Sequence, residues 1–452
     1  MTTTSPASTP SASTSPTTPT RRRHHHRSTL KLAAVGAVAA LCTLTATLPA
    51  AATTPTAGPT ATSTATPTPA RHLALPAPTG RYQVGEVSLH LVDPSRPDPW
   101  QPAVPYRELM VSVFYPTTHP GGRPAAPYML PQAAAHFDST TATGYLGLGT
   151  TPGQADWADT VTHAALGAPV ATGRDGGLPV LLYAPGLVEP RTWGTTLVTD
   201  LASRGYVVVT VDSTYESPEV QFPDTSPARP GTLATVDLSG VTDPNAYIQK
   251  ALAVRTADAR FVLDRLQQLN DGQNPDVDGR RLPHGLAGAL NLSEVGMFGH
   301  SLGGTAAATT MDADPRVKAG LDMDGNLNNQ DGSLMPVAEH GLDRPFLLLG
   351  KDGTTDTGPG WQAFRANTPG WHAQLTLKGS EHDSFTDAEA LVPQLGLPAA
   401  TRTTDIGTID PATAIHTDEA YVAAYFDHFL RGCSGRLLDG PVPQYPDMEF
   451  VR

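Results

Sequence analysis

Gly299-His300-Ser301-Leu302-Gly303-Gly304 is the stretch of sequence that decides the fold of this chain. It follows the apolar run 295–298, which is typical of a buried strand, and it opens a segment at 304–308 that favours a helix. A sharp turn at Ser301 would make side chains at 299 and 303 collide, and glycine at both positions removes that collision. The free N–H groups of the new helix would face the serine oxygen and stabilise negative charge there. The stretch therefore predicts an exposed, reactive serine between a strand and a helix.

The motif alone does not establish a reactive serine, because 42 of the 452 residues are glycine and a Gly-rich turn with an ordinary serine is the alternative. The surrounding pattern favours the first reading, since apolar runs alternate with amphipathic ones from about residue 80. This alternation predicts an α/β fold with a mostly parallel, eight-stranded sheet covered by helices on both faces. The predicted strands are 86–91, 109–115, 180–183, 206–211, 294–298, 319–323, 345–349 and 373–377.

Predicted helices lie between these strands. One covers 193–204, one has an apolar face within 248–266, and a final helix covers 419–430. Two long connections, 117–178 and 213–244, interrupt the rhythm, and long connections in compact domains are often functional. Their apolar side chains either line an acyl pocket or anchor the connections: Tyr128, Met129, Leu130, Phe137, Tyr145, Leu146, Tyr215 and Phe222.

The N-terminal part of the chain differs from the rest in composition. Residues 1–52 combine an arginine cluster, an apolar stretch at 32–48 and small residues after it, which predicts a signal peptide and a secreted protein. A membrane anchor is the alternative, although the apolar stretch is short for one. Residues 53–70 are almost entirely Thr, Ala and Pro and are expected to form a linker. Residues 71–452 are then the catalytic domain.

Charge and motif content exclude several classes of protein. The whole chain has a net charge of −13, and loss of residues 1–52 would make it −18 because they hold five basic and no acidic residues. Polyanionic partners such as nucleic acids are therefore disfavoured. We find no phosphate-binding Gly-rich loop and no zinc-type cysteine pairs, so no metal and no cofactor is expected. With Cys42 in the leader, only Cys433 would remain, which excludes an internal disulfide.

A reactive serine needs a base to take its proton and a carboxylate to orient that base. His382 is the predicted base because it lies in a polar loop just after the last predicted strand. The acid is either Asp324, which follows the sixth predicted strand, or Asp352, which follows the seventh. Asp322, which lies within the sixth predicted strand, is a weaker candidate.

An oxyanion also requires two N–H donors. Leu302, directly after the serine, supplies one of them. Residues 183–187 end a predicted strand with Pro185-Gly186-Leu187, where the glycine lets the backbone bend and turn the N–H of Leu187 inward. A plain Pro-Gly turn is the alternative for this segment.

Taken together, these segments resemble the secreted and plasma platelet-activating-factor acetylhydrolases and related bacterial esterases and lipases of the α/β-hydrolase fold. The resemblance runs over about 107–430 and includes Val113-Phe114-Tyr115-Pro116, residues 185–187 with 200–205, the serine turn, residues 323–325 and residues 379–382. It implies Ser301 as nucleophile, Asp324 rather than Asp352 as acid, His382 as base, and Leu187 and Leu302 as oxyanion donors. Pro185 is a departure, because the family often has histidine before the oxyanion glycine.

The sequence therefore predicts a secreted serine ester hydrolase that works through an acyl-enzyme. The resemblance implies short-acyl glycerophospholipids and simple esters as substrates. A long-chain lipase, a peptidase, and a non-catalytic binding protein on the same scaffold are the alternatives. Transient contact with a lipid surface is a further expectation, since loops rich in Leu, Phe and Tyr could dock there.

Overall fold

The computed structural model describes residues 69–171, 176–223, 232–353 and 358–451. The predicted signal peptide and nearly all of the predicted linker lie outside the described residues. The strands are β1 (Arg71–Ala74), β2 (Gln83–Asp93), β3 (Arg107–Thr117), β4 (Ala155–Val161), β5 (Ala164–Leu166), β6 (Leu178–Ala184), β7 (Val207–Val211), β8 (Glu219–Gln221), β9 (Leu233–Thr235), β10 (Leu290–His300), β11 (Val317–Met323), β12 (Phe346–Lys351), β13 (His372–Leu377) and β14 (Met448–Val451).

The helices are α1 (Pro131–His136), α2 (Thr195–Ser203), α3 (Pro244–Asn270), α4 (Leu302–Ala313), α5 (Pro336–His340), α6 (Pro359–Asn367), α7 (Ala388–Leu391), α8 (Ala399–Ile406) and α9 (Pro411–Arg431). A π-helix covers Phe137–Tyr145, and short 3-10 helices cover His382–Phe385, Val392–Gln394 and Arg436–Leu438. Among the described residues, no helix combines the length and the apolar character that a membrane span needs.

The main sheet has the strand order β14-β13-β12-β11-β10-β6-β7-β3-β2-β5. Strands β7, β6 and β10 to β13 pair in parallel, whereas β2 with β3, β3 with β7, and β13 with β14 pair antiparallel. Strands β6 and β7 are inserted into the sheet so that β7 lies next to β3 and β6 lies directly beside β10. The segments that follow β6, β10, β11, β12 and β13 therefore meet at one edge of the sheet, where ligands of such folds bind.

All eight predicted strands are present, and the mostly parallel α/β architecture is confirmed. The predicted number of strands is wrong, because ten strands form the sheet of the described structure. The two additional strands, β5 and β14, lie at or near the ends of the sheet and have only three and four residues. Neither has a sustained apolar run, so hydrophobic periodicity could not reveal them.

Two apolar layers cover the sheet. On one face α3 and α4 pack against side chains of β3, β6 and β10, and on the other face α2 and α9 do so. The last helix begins at Pro411, eight residues before its predicted start, because the Asp410 carboxylate accepts the Thr413 N–H and caps it. The long connections contain structure of their own, including β4, α1 and the π-helix in the first and β8 and β9 in the second.

Candidate active site

Ser301 lies at the turn between β10 and α4, in a backbone conformation with φ 52° and ψ −122°. Its N–H donates to the Met323 carbonyl at 2.8 Å, which fixes the turn against the end of β11. A Cβ atom at Gly299 or at Gly303 would overlap the Ala184 carbonyl oxygen. The two glycines are thus required by close approach of the β6 backbone as well as by the turn itself. We refer to residues 299–303, which carry the predicted nucleophile, as the nucleophile turn.

Asp324 and His382 meet at the same edge of the sheet. The Asp324 Oδ2 atom lies 2.5 Å from Nδ1 of His382, the carboxylate is buried, and 44% of the His382 side chain is exposed. The other carboxylate oxygen, Oδ1, accepts the Lys351 N–H at 3.1 Å. The contact of Asp324 Oδ2 with His382 Nδ1 fixes the imidazole tautomer with its proton on Nδ1 and leaves Nε2 free to accept a proton.

Asp352 and Asp322 have other partners. The Asp352 carboxylate accepts the Gly379 N–H at 2.8 Å and pairs with Lys378, and these hydrogen bonds lower the pKa of Asp352. Asp322 is fully buried, its carboxylate accepts the Gly325 N–H at 2.8 Å, and burial raises the pKa of Asp322 well above its usual range. Of the three candidate acids, Asp324 is the one bonded to the predicted base.

The rings of His300 and His382 are 4.5 Å apart between centroids, so the predicted base stands next to the nucleophile turn. Ser301 is partly exposed, and its hydroxyl makes no hydrogen bond with any described residue. Catalytic hydrogen bonds are often long without substrate and shorten when it binds. The other downstream histidines make contacts elsewhere, as His340 does with Asp312, His372 with Gly370, His416 with Tyr445, and His428 with Cys433.

The segment 185–189 carries the predicted oxyanion donor Leu187 and is called the oxyanion loop; it follows β6 and touches the first turn of α4. A Cβ at Gly303 would approach the Pro185 carbonyl oxygen to 2.7 Å, so this loop and the nucleophile turn are in direct contact. Leu302 is the first residue of α4, where an N–H has no partner within the helix. Leu187 is half-buried in the loop. The two predicted oxyanion donors therefore lie in segments that the fold brings together.

Comparison with known proteins identifies the family of the chain. Residues 68–431 match the model of the family described as platelet-activating factor acetylhydrolase, isoform II. The chain belongs to this family. A protein of Arthroderma benhamiae named as a probable 1-alkyl-2-acetylglycerophosphocholine esterase is 26% identical over 399 residues, which are 83% of this chain and 93% of that protein. A platelet-activating factor acetylhydrolase of Cavia porcellus is 25% identical over 236 residues, about half of each chain.

Among solved structures, a ferulic acid esterase from Streptomyces cinnamoneus matches with a TM-score of 0.66 and 34% identity. The match covers 84% of this chain and 99% of that structure. The chain, a member of the platelet-activating factor acetylhydrolase family, therefore shares its fold with an esterase of known structure. It is a carboxylic-ester hydrolase with an α/β-hydrolase fold.

A buried group of charged residues beneath the site of this acetylhydrolase family member was not predicted from the sequence. His300 Nδ1 lies 2.8 Å from Glu189 Oε1, and Arg255 pairs with Glu216 at 2.5 Å. Burial alone would raise the pKa of Glu189 and lower that of His300, but the attraction between the two charges outweighs burial. The pKa of Glu189 is lowered, and the pKa of His300 is raised to about 9. No spacing in the sequence connects residues 111 positions apart.

Glu189, His300 and Asp383 bring metal-ligand atoms within 4.8 Å of one another. Both nitrogens of His300 are already bonded, however, one to Glu189 and the other to the His382 carbonyl oxygen at 2.9 Å. A coordinated imidazole needs a free nitrogen lone pair, so the group is better described as an ion pair than as a metal site.

Four of the eight candidate pocket residues are buried in apolar clusters. Tyr128, Met129 and Phe137 pack with Trp157 and Trp193 in one cluster, and Phe222 packs with Met110, Val220 and Ala234 in another. These four side chains anchor the long connections, which was the alternative considered for them. Tyr145 and Leu146 are partly exposed in and after the π-helix.

Proposed function

We propose that the chain hydrolyses carboxylic esters through an acyl-enzyme formed on Ser301. His382 takes the proton of the serine hydroxyl as the oxygen attacks the ester carbonyl, and it then gives that proton to the leaving alcohol. Water, activated by the same imidazole, attacks the acyl carbonyl and releases the acid. Asp324 keeps the imidazole in the required tautomer and stabilises its charged form. The single observation that carries this proposal is the Asp324–His382 contact beside the strained nucleophile turn.

The N–H groups of Leu187 and Leu302 are proposed as donors to the tetrahedral intermediate. Support comes from the position of Leu302 at the start of α4 and from the contact between the oxyanion loop and Gly303. Two preorganised N–H donors stabilise the oxyanion without reorganisation during the reaction, and each is worth on the order of 3 kcal/mol in the barrier.

Short-acyl glycerophospholipids and simple esters are the proposed substrates. The family match and the Arthroderma benhamiae relative, which aligns over 93% of its length, support this class. Esters of ferulic acid are a second candidate, because the ferulic acid esterase has the higher identity, 34%, over 99% of its chain. Long-chain lipids and peptide amides are the remaining alternatives, and the substrate comparison described below separates all four.

The described surface favours substrates taken up from solution. Among the described residues, the large hydrophobic side chains that are exposed are Val161, Leu166 and Val277, which belong neither to the nucleophile turn nor to the oxyanion loop. Docking on a lipid surface needs a set of exposed apolar side chains around the site. We therefore propose that any lipid contact is transient. From the arginine cluster, the apolar stretch and the small residues within 1–52, we also propose that the protein acts after export and removal of this segment.

The test compares the wild type with Ser301→Ala. The variant is expected to keep the fold by circular dichroism and to lose at least about 1,000-fold in kcat on p-nitrophenyl acetate. A fluorophosphonate probe is expected to label the wild type at Ser301 only. Near wild-type turnover by the variant contradicts the proposal, and absence of labelling supports a non-catalytic binding protein.

Substrate class is tested with five compounds at equal concentration. They are a 2-acetyl glycerophosphocholine, p-nitrophenyl acetate, p-nitrophenyl palmitate, methyl ferulate and a peptide p-nitroanilide. The highest kcat/KM is expected for one of the two acetyl esters. A higher value for methyl ferulate selects the second candidate, and preference for palmitate or the anilide selects a lipase or a peptidase.

A further inference from the structure

We infer that His300 is a positioning residue that joins the nucleophile turn, the oxyanion loop and the base loop through a doubly protonated ring paired with Glu189. The base loop is the segment 379–387 that carries His382. This inference deepens the proposed serine mechanism and rests on it. Neither His300 nor Glu189 carries a reacting atom, and both side chains lie beneath the site.

The protonation of the ring follows from its partners. Nδ1 lies 2.8 Å from the Glu189 carboxylate, and Nε2 lies 2.9 Å from the carbonyl oxygen of His382. An ionised carboxylate and a carbonyl are both acceptors only, so both ring nitrogens must donate. A neutral ring has one N–H and would leave one of these buried acceptors unpaired, which is unfavourable in the protein interior.

Glu189 extends this connection to the oxyanion loop. Its second carboxylate oxygen, Oε2, accepts the Gly186 N–H at 2.6 Å, one residue before Leu187. Arg255 donates to the carbonyl oxygens of Pro185 and Gly186 and forms an ion pair with Glu216. The peptide that orients the Leu187 N–H is therefore fixed from both sides by buried charged groups, with Glu189 on the side of the nucleophile turn.

His300 is adjacent to Ser301 in the chain and fully buried, so a displacement of its ring also displaces the serine. One ring thus sets three distances: from serine to base, from serine to oxyanion donor, and from base loop to oxyanion loop. Misplacement by about 1 Å can lower a catalytic rate about 100-fold. The ionisable groups that contact the ring or interact with it electrostatically come from the oxyanion loop, the end of β11 and the base loop, and they are Glu189, Asp322, Asp324, His382 and Asp383.

The substitution Glu189→Gln removes the negative charge of the side chain and keeps its shape. The amide oxygen can accept the Gly186 N–H while the amide NH2 donates to Nδ1, so a neutral ring with its proton on Nε2 still donates to His382. All three connections remain, but the ring no longer needs a second proton. Glu189→Ala removes the connections to Gly186 and His300 together.

The measurements are kcat and KM on p-nitrophenyl acetate from pH 6 to 10.5, with circular dichroism at each pH. In the wild type, kcat is expected to fall as the second ring proton leaves above about pH 9. Glu189→Gln is expected to keep kcat within about 10-fold at pH 7.5 and to lose this alkaline fall. Glu189→Ala is expected to lose about 100-fold in kcat with KM changed less than about threefold.

The matched control is the buried pair of His90 with Glu108, 3.2 Å apart, on β2 and β3. Strand β3 is three positions from β10 in the sheet, about 14 Å away. Glu108→Gln should keep both kcat and the alkaline fall of the wild type. An alkaline fall that persists unchanged in Glu189→Gln overturns the inference, and so does a folded Glu189→Ala with wild-type kcat.

Failure of the proposed function looks different, since Ser301→Ala would then remain active. If Ser301→Ala is inactive while the Glu189 variants behave like Glu108→Gln, only the positioning role is wrong. If Glu189→Ala does not fold, the pH profile of Glu189→Gln still tests the positioning role of His300.

Discussion

The Asp324 carboxylate reaches Nδ1 of His382 from a residue in the left-handed backbone region, with φ 57°. Few residues other than glycine adopt this conformation, and those that do often belong to functional sites. The backbone N–H of Asp324 donates to the Leu349 carbonyl at 2.8 Å, so the turn is fixed by the neighbouring strand β12. The conformation aims the carboxylate across the end of the sheet at a loop 58 residues further along the chain.

We predict that Asp324→Asn lowers kcat on p-nitrophenyl acetate far more than Asp352→Asn does. An amide at 324 can donate to Nδ1 and would stabilise the wrong tautomer of His382, an effect of about 10,000-fold in a serine triad. Asp352 contacts Gly379 and Lys378 at the start of the base loop, so its loss should cost less than about 10-fold. Steady-state kinetics at pH 7.5 measures both effects, and a larger loss at Asp352 would transfer the role of acid to that residue.

We predict that Gly303→Ala destabilises the protein by several kcal/mol, because its Cβ would overlap the Ala184 carbonyl oxygen in rigid backbone. Gly240→Ala is the control, since no atom lies within 4 Å of its added Cβ and its φ is not positive. Urea unfolding at pH 7 measures the free energy of unfolding of both variants. Equal values for the two would show that the turn relaxes around the methyl group.

The sequence predicted the parts of the molecule that depend on local pattern. The eight predicted strands have apolar or alternating runs, and the two glycines flanking Ser301 reflect a local steric requirement. Resemblance rather than spacing favours Asp324 over Asp352 as the acid, because both residues follow parallel strands at the same edge of the sheet. Only the three-dimensional distance to His382 distinguishes them.

The remaining parts depend on contacts between distant residues. Glu189 and His300 are far apart in sequence, and a histidine before the serine is not distinguishable by pattern from any other buried side chain. Strands β5 and β14 are too short for periodicity to reveal. Tyr128 and Phe137 could equally have lined a pocket or anchored a connection, and burial decides this only once the fold is known.

We predict that Asp387→Ala loosens the base loop and lowers the free energy of unfolding by about 2–4 kcal/mol. The Asp387 carboxylate accepts the N–H groups of Thr195 and Thr196 at the start of α2 and the Tyr128 hydroxyl at 2.9 Å. Its loss leaves buried donors unpaired. Tyr128→Phe removes a single bond and should cost about 1 kcal/mol. Chemical denaturation compares them, and equal costs would mean that the contacts with α2 contribute little.

We predict that Glu389 makes the protein less stable as the pH rises from about 5 to 8. Its side chain is fully buried in α7, and Asp418 lies nearby in α9. Burial raises the pKa of Glu389 to about 8, against an ordinary value of 4.5. The folded state therefore retains a proton that the unfolded state releases between these two values, so its stabilising contribution is complete below pH 4.5 and is lost towards pH 8.

Glu389→Gln removes this dependence because the amide is neutral at every pH. Between pH 5 and 8, the free energy of unfolding of the wild type should fall by about 3 kcal/mol more than that of Glu389→Gln. Urea unfolding at pH 5, 6, 7 and 8 measures the difference. The exposed Glu339→Gln serves as the control, because a carboxylate in water should change the slope little. Parallel curves for the wild type and Glu389→Gln would show that Glu389 is ionised in the folded protein, and water reaching the carboxylate between α7 and α9 would then be the physical reason.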